Sequence, residues 1–261
     1  MDRYELAALA AGRPPVDREA FVLERCVGKS VLDLGCVKHL AEVAAKDPNW
    51  LHGRIRAVAR RCVGVDFAQA EVEKLRALGI DLVCGDVTRP LPLQERFEVV
   101  FAGDLIEHLS NFEGFFDNCG RLLAPGGSLI LSTPNPFYAD GFHYAALKRR
   151  VLINPEHICW IDPQAMLQLV GRFGFRIEDL RFVRDAWRLR NFITEGPGDP
   201  YEIFNDHWVR DSRWDILRRK AARVLFSLLY APFRYLSGGG SPMVAYGDYV
   251  VVLKRDGIPP A

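Results

Sequence analysis

From residue 30 onward, short unbroken apolar runs alternate with longer stretches of helical spacing. The runs SVLDLGC (Ser30 to Cys36), CVGVDF (Cys62 to Phe67), DLVCGD (Asp81 to Asp86), FEVVFAG (Phe97 to Gly103), SLILSTP (Ser128 to Pro134), Phe175 to Phe182 and Asp248 to Leu253 predict seven strands. Continuous apolar runs of this length suit strands covered on both faces. Between them the pattern predicts helices over His39 to Lys46, Trp50 to Arg60, Glu71 to Leu78, Asn111 to Leu123 and Pro163 to Phe173. Pro48 stops the first of these, Gly79 caps the third, and Asp162 caps the last, with proline at its first position. Residues 1–27 read as two short helices broken by Pro14-Pro15, the second capped by Asp17 with Phe21, Val22 and Cys26 on one face. Strands alternating with helices predict an α/β fold, a parallel sheet with helices on both faces. One stretch does not fit, an insertion over 184–242 before the last strand.

Composition narrows the class. The 261 residues, 49% hydrophobic and 26% charged, suit one well-packed domain with an appendage. The 34 basic and 33 acidic residues nearly cancel, so no global field draws the chain to nucleic acid. Six cysteines (Cys26, Cys36, Cys62, Cys84, Cys119, Cys159) contain no CxxC pair, which points to reduced thiols rather than a disulfide framework. The N-terminus lacks the basic start and long apolar core of a signal peptide, and no run reaches the ~20 apolar residues of a membrane span. These features predict a soluble, cytoplasmic protein.

The candidate chemistry gathers where strands end. After the buried run Val99-Val100-Phe101 come Asp104, Glu107 and His108. If the chain turns helical there, positions i, i+3 and i+4 bring two carboxylates and an imidazole onto one face, beside the crevice where open α/β sheets bind ligands. The plainer alternative is Asp104 as a helix cap followed by two solvated side chains. Gly35 after the first strand allows close ligand approach, and Asp66 at the end of the second can accept both hydroxyls of a ribose. Dehydrogenases share that much.

Taken in order, VLDLGC, VGVDF, CGDV, FAGDLIEHL and LLAPGGSLILSTP resemble the class I S-adenosylmethionine-dependent methyltransferases, over Val31 to Phe182. The resemblance implies a Rossmann-like, seven-stranded, mostly parallel sheet with helices on both faces. On that reading residues 1–27 form an N-terminal helical cap, 28–183 the cofactor-binding core, 184–242 a helical insertion serving as acceptor lid, and 243–254 the last strand. It further implies that Asp33 and Gly35 border the methionine part of the cofactor and that Asp66 holds the ribose hydroxyls. Phe67 would pack on the adenine, Asp86 would accept from its amino group with Val87 alongside, and Asp104 and Leu105 would line the sulfonium end. The loop departs from the family pattern. It continues Gly35-Cys36-Val37, placing a branched residue where bare backbone is usual, which implies either a shifted cofactor pose or lost binding. Trp50 and His52, in the long insert Asp47 to Arg61, are expected to reach the cleft, with simple packing the equal alternative for the tryptophan.

Asp104, Glu107 and His108 also resemble the acid-x-x-Glu-His pattern of ubiquinone-pathway and small-RNA terminal 2′-O-methyltransferases. In the RNA enzymes a later histidine completes a divalent-cation site; His157 in NPEHICW would take that place here, with His143 in reserve. A bound cation would lower the pKa of an acceptor hydroxyl and orient it. Two carboxylates with two imidazoles suit Mn, Fe, Co or Zn at least as well as Mg. The alternative is His108 as a metal-free general base.

The insertion joins a basic run (Arg210, Arg213, Arg218, Arg219, Lys220, Arg223, Arg234) to the apolar block Val224 to Tyr230. That suits either a lid packed on the sheet or a peripheral membrane contact through residues 210–236 near a lipid-linked acceptor. The aromatic residues Phe137, Tyr138, Phe142, Tyr144 and Trp160 are expected around the site, to stack on a sugar ring or an arene, with ordinary core as the alternative. The resulting expectation is an O-methyltransferase acting on a small-molecule, sugar or lipid-linked hydroxyl. The alternatives are a quinone-precursor or RNA-terminal enzyme, which weak basicity disfavours for RNA, and a catalytically silent cofactor-binding partner protein.

Overall fold

The computed structural model describes residues 6, 13–37, 41–138, 154, 156–183, 214, 217, 221 and 246–255. All but Leu6 of the predicted first N-terminal helix, Phe142, His143, Tyr144 and nearly all of the 184–242 insertion lie outside them.

Seven strands form one sheet: β1 (Ser30–Leu34), β2 (Arg61–Asp66), β3 (Leu82–Cys84), β4 (Phe97–Gly103), β5 (Leu123–Pro134), β6 (Phe175–Phe182) and β7 (Asp248–Arg255). Their spatial order is β3-β2-β1-β4-β5-β7-β6. The pairs from β3 through β5 are parallel, whereas β7 runs antiparallel to both β5 and β6. The sheet is therefore mostly parallel, and its sequence order reverses beside β1, opening a crevice beyond the carboxyl ends of β1 and β4. β5 begins at Leu123 rather than Ser128. Its register jumps from Phe97↔Leu123 to Val99↔Ser128, so Pro125-Gly126-Gly127 bulges out of the ladder instead of preceding it.

Six α-helices are described: α1 (Arg18–Cys26), α2 (Ala41–Ala44), α3 (Leu51–Val58), α4 (Gln69–Ala77), α5 (Phe112–Leu122) and α6 (Pro163–Arg172). Their caps follow from the sequence. Asp17 accepts from the Ala20 amide, Asn111 from Gly114, and Asp162 from Gln164 and Ala165. Successive residues of β1, β2, β4, β5 and β7 enter opposite cores. Leu32, Val63, Val100 and Leu129 pack with Phe115, Phe116 and Met166 of α5 and α6. Val31, Val99, Phe101 and Ile130 pack with Phe21 and Val22 of α1 and Ile55 of α3. The two cores explain the unbroken apolar runs. Val16 bonds the carbonyl of Phe182 at 2.9 Å, tying the N-terminal segment to the sheet edge.

Packing is close at Gly64 in β2. A Cβ there would lie 2.3 Å from Leu82 Cδ2, 2.5 Å from Cys36 Sγ and 2.8 Å from His52 Cε1. Gly64→Ala is therefore expected to destabilise the fold by about 1–3 kcal/mol through overpacking. The measurement is urea denaturation, with a lower midpoint at unchanged slope; a wild-type midpoint would mean that these three neighbours can relax.

Candidate active site

The strand ends place most of the sequence-predicted residues along one edge of the sheet. At β1, Gly35 is exposed and takes φ +74, a conformation that glycine adopts freely. Leu105 packs over it, with Cδ1 3.0 Å from where a Cβ would be. Asp33 lies deeper than the sequence implied. It is buried, and Oδ2 is 2.8 Å from Nδ1 of His52, also buried. His52 and Trp50 thus support the loop from beneath rather than line an open cleft, because α3 packs against the sheet face from which Asp33 projects.

At β2, the Asp66 carboxylate accepts from the Val37 amide (2.9 Å) and the Ala68 amide (3.0 Å), which leaves further lone pairs on each oxygen. Beside it Phe67 is 80% exposed, a flat apolar face at the mouth. Past β3, Asp86 is exposed and bonded to its own turn through the Thr88 amide and hydroxyl. Those hydrogen bonds hold its carboxyl below the usual range. Val87 is buried in the core beneath. An exposed glycine turn, an acid with spare lone pairs, an exposed ring and a second acid on three adjacent strand ends fit an adenosine-bearing cofactor.

At β4 the chain does not turn directly into a helix. Asp104 adopts φ +49, Leu105 follows in right-handed geometry, and Ile106–His108 form a single 3-10 turn. Asp104 still continues the ladder, its amide donating to the Ser132 carbonyl at 3.0 Å, and a short polar side chain tolerates the left-handed region better than most. The predicted common helical face is therefore absent. Glu107 points inward and is buried, while His108 stays half-buried.

His157 comes to meet them because the segment containing it docks on this turn. The amides of Ile158 and Cys159 both donate to the Glu107 carbonyl, at 3.0 and 3.3 Å. The His108 and His157 rings meet edge to face at 4.6 Å. One ligand atom each from Glu107, His108 and His157 lies within 4.8 Å of the others. Asp104 stands apart from this trio, its carboxylate bonded by the Arg18 guanidinium and the Ser132 hydroxyl. Among the described residues, Glu107 Oε1 is buried without a hydrogen-bond partner, while the Thr133 hydroxyl donates to Oε2 at 3.0 Å.

Burial, then the neighbouring Asp104 carboxylate, push the Glu107 carboxyl up to about 8. Burial, then the His108 charge, push His157 below its ordinary value. The Nδ1 of His108 lies 3.1 Å from the Glu156 carbonyl and donates to it, so Nε2 of the neutral ring is an acceptor. A buried carboxyl short of a partner beside two imidazoles matches the donor set of a divalent transition metal. Sequence reading did not single out Arg18, Ser132 or Thr133. The adjacent hydroxyls of LSTP at a strand's end carried a local signal; Arg18 carried none, since only packing of α1 brings it here.

The comparisons agree with this architecture. The family model for a methyltransferase domain matches residues 10–180. A Mycolicibacterium smegmatis protein named "Probable S-adenosylmethionine-dependent methyltransferase" is 30% identical over 195 residues, 73% of this chain and 69% of its own. A ubiquinone biosynthesis O-methyltransferase of Nitrobacter winogradskyi is 27% identical over 205 residues, 77% of this chain and 70% of its own. In fold, the crystal structure of an S-adenosylmethionine-dependent methyltransferase from Archaeoglobus fulgidus superposes with a TM-score of 0.52 at 15% identity, covering 97% of this chain and 100% of that one. With its motifs at the ends of the expected strands and two thirds of its length matched, the chain belongs to the S-adenosylmethionine-dependent methyltransferases.

Proposed function

We propose that the chain transfers a methyl group to a hydroxyl of a small-molecule acceptor, and that Glu107, His108 and His157 can hold a divalent cation beside the reacting oxygen. The observation that carries this reading is that trio, gathered within 4.8 Å just past the end of β4, next to where the cofactor's sulfonium would lie. S-adenosylmethionine supplies the methyl as an electrophile, and a divalent cation supplies a Lewis acid that makes a hydroxyl more acidic. The chain's own residues do the rest. Gly35, Asp66 and Phe67 hold the adenosine part, and Leu105 over Gly35 shapes the methyl end. As oxygen bonds to the methyl carbon, the carbon–sulfur bond breaks and the hydroxyl proton leaves; in the metal-free reading Nε2 of His108 accepts it.

For the acceptor, the exposed apolar side chains Phe137, just after β5, and Ile158 and Trp160, in the segment docked on the Glu107 turn, support a ring-bearing or lipid-linked molecule over a bare polyanion. A sugar ring carrying the hydroxyl fits such exposed aromatic faces by stacking its C–H face on them. A quinone-precursor phenol is the second reading, favoured by the ubiquinone biosynthesis relative. The former expectation of membrane contact falls on residues 210–236, nearly all outside the described set. No helix among the described residues is long and apolar enough to cross a membrane.

Asp66→Ala is expected to weaken S-adenosylmethionine binding by about 1.5–3 kcal/mol through lost charge-assisted hydrogen bonds. Unchanged affinity by calorimetry would remove Asp66 from the cofactor site, and no binding by the wild type would mark a silent family member. With a glycoside and a catechol as acceptor probes, activity should vanish on chelation and return with Mn²⁺ or Zn²⁺. Full activity after exhaustive chelation, with no metal detected, would reject the cation and leave His108 as base.

The Glu107 proton gives a separate check. Its folded pKa of about 8 lies above the ordinary 4.5, so its contribution to stability is complete below about 4.5 and is lost as pH rises through 8. Besides Asp104, the groups facing it are Thr133, His157 and Asp248. Glu107→Gln should flatten the fall in melting temperature of the metal-free protein between pH 4.5 and 8. An unaltered profile would place its proton elsewhere.

A further inference from the structure

We infer that Trp50 and His52 form a buried bracket that sets the cofactor loop from behind, which makes them positioning residues for S-adenosylmethionine binding. The loop needs such support. Family loops gain their shape from repeated glycines, whereas this one carries Cys36 and Val37 after Gly35. A branched residue cannot adopt glycine's range of backbone conformations, so the path of the loop has to be imposed by neighbours.

The structure supplies four restraints around three consecutive residues. The Gly35 amide donates to the Val65 carbonyl at 2.8 Å. The Trp50 indole N–H donates to the Cys36 carbonyl at 2.9 Å, in a buried setting. The Val37 amide donates to Asp66 Oδ2 at 2.9 Å. Two residues before Gly35, Asp33 is held by His52 at 2.8 Å. The two aromatic residues act as one unit, their ring centroids 5.1 Å apart at the start of α3. Two glycines make room for them. A Cβ on Gly53 would lie 3.2 Å from the Trp50 ring, and one on Gly64 would meet both Cys36 and His52.

Each bond has a consequence for the mouth of the site. Turning the Cys36 carbonyl toward the indole fixes the plane of the peptide that carries the Val37 amide, and that amide in turn orients the Asp66 carboxylate. Pairing Asp33 with His52 satisfies a carboxylate that would otherwise be buried alone. Asp66 is thereby left as the acid at the mouth. Since a carboxylate accepts here, Nδ1 of His52 carries the hydrogen; Cys62 Sγ lies farther from the same nitrogen, at 3.9 Å, and Nε2 is buried without a hydrogen-bond partner among the described residues, so the short contact of the ring is the one to Asp33. The Asp47 to Arg61 insert, which lengthens the path between β1 and β2, is what delivers both side chains.

The inference rests on the S-adenosylmethionine reading, and calorimetry on the full chain separates the two. Trp50→Phe keeps the ring and removes the N–H. His52→Leu removes the donor to Asp33, and His52→Asn puts an amide nitrogen close to the place of Nδ1. Trp50→Phe and His52→Leu should each raise the Kd for S-adenosylmethionine and for its demethylated product roughly 3–10-fold, the size of one lost hydrogen bond. His52→Asn should restore affinity to about twofold of wild type, which a packing role would not do, since asparagine fills the space worse than leucine. Wild-type Kd values in folded Trp50→Phe, or His52→Asn no better than His52→Leu, would overturn the inference while leaving the cofactor reading intact. Should His52→Leu not fold, Trp50→Phe and His52→Asn decide between them. A wild type that binds neither ligand would overturn both.

Discussion

A carboxylate inside a strand that is covered on both faces must be paired, and in β1 that carboxylate is Asp33. Its bond to His52 is the contact on which the arrangement of the cofactor edge depends. The pairing requires α3 to press onto the sheet, and this in turn requires Gly64 to lack a side chain. With α3 in place, Trp50 reaches the Cys36 carbonyl and the loop after β1 has one path. A substitution at any of these positions would be felt at the mouth of the site, several residues away from any contact with a ligand.

The reaction end is organised differently, around charge rather than packing. Asp104, Glu107 and Asp248 bring three carboxyl groups into one neighbourhood, and they do not share it equally. Asp104 is neutralised by Arg18 from the N-terminal helix, whose guanidinium is held above its ordinary value chiefly by that carboxylate. Glu107, buried and without a cation of its own among the described residues, instead retains its proton. His157 is pushed the other way by burial and by His108. Burial thus favours the neutral form of both Glu107 and His157, while Asp104 is compensated by an ion pair. This accounts for Asp104 and Glu107 having opposite situations although they lie three residues apart.

The two ends meet at Leu105. It follows the left-handed Asp104 and covers Gly35, so the turn that presents Glu107 and His108 also closes over the first strand's loop. Methyl transfer needs the sulfonium and the accepting atom in line, and a single turn contacting both sides provides a rigid spacing between them.

Much of this was legible in the residues. Unbroken apolar runs marked buried strands, Asp17, Asn111 and Asp162 marked helix starts, and the ordered acids marked the strand ends along one edge of the sheet. These signals are local, set by periodicity and by capping chemistry within a few residues. The direction of β7 was not legible, since strand direction depends on which neighbour a segment pairs with. Nor was the turn after β4: a helical i, i+3, i+4 face was the natural reading of Asp104, Glu107 and His108, but a ladder bond to Ser132 drew Asp104 into a left-handed conformation instead. Whether Trp50 and His52 faced the cleft or lay beneath it depended on how α3 packs. Arg18 reached Asp104 across 86 residues of chain, and His157 reached Glu107 through backbone bonds from Ile158 and Cys159. The sequence by itself thus determined the elements and the kinds of chemistry at their ends. Only the tertiary structure decided which charged groups face one another, because that pairing is made between segments distant in the chain and is settled by burial.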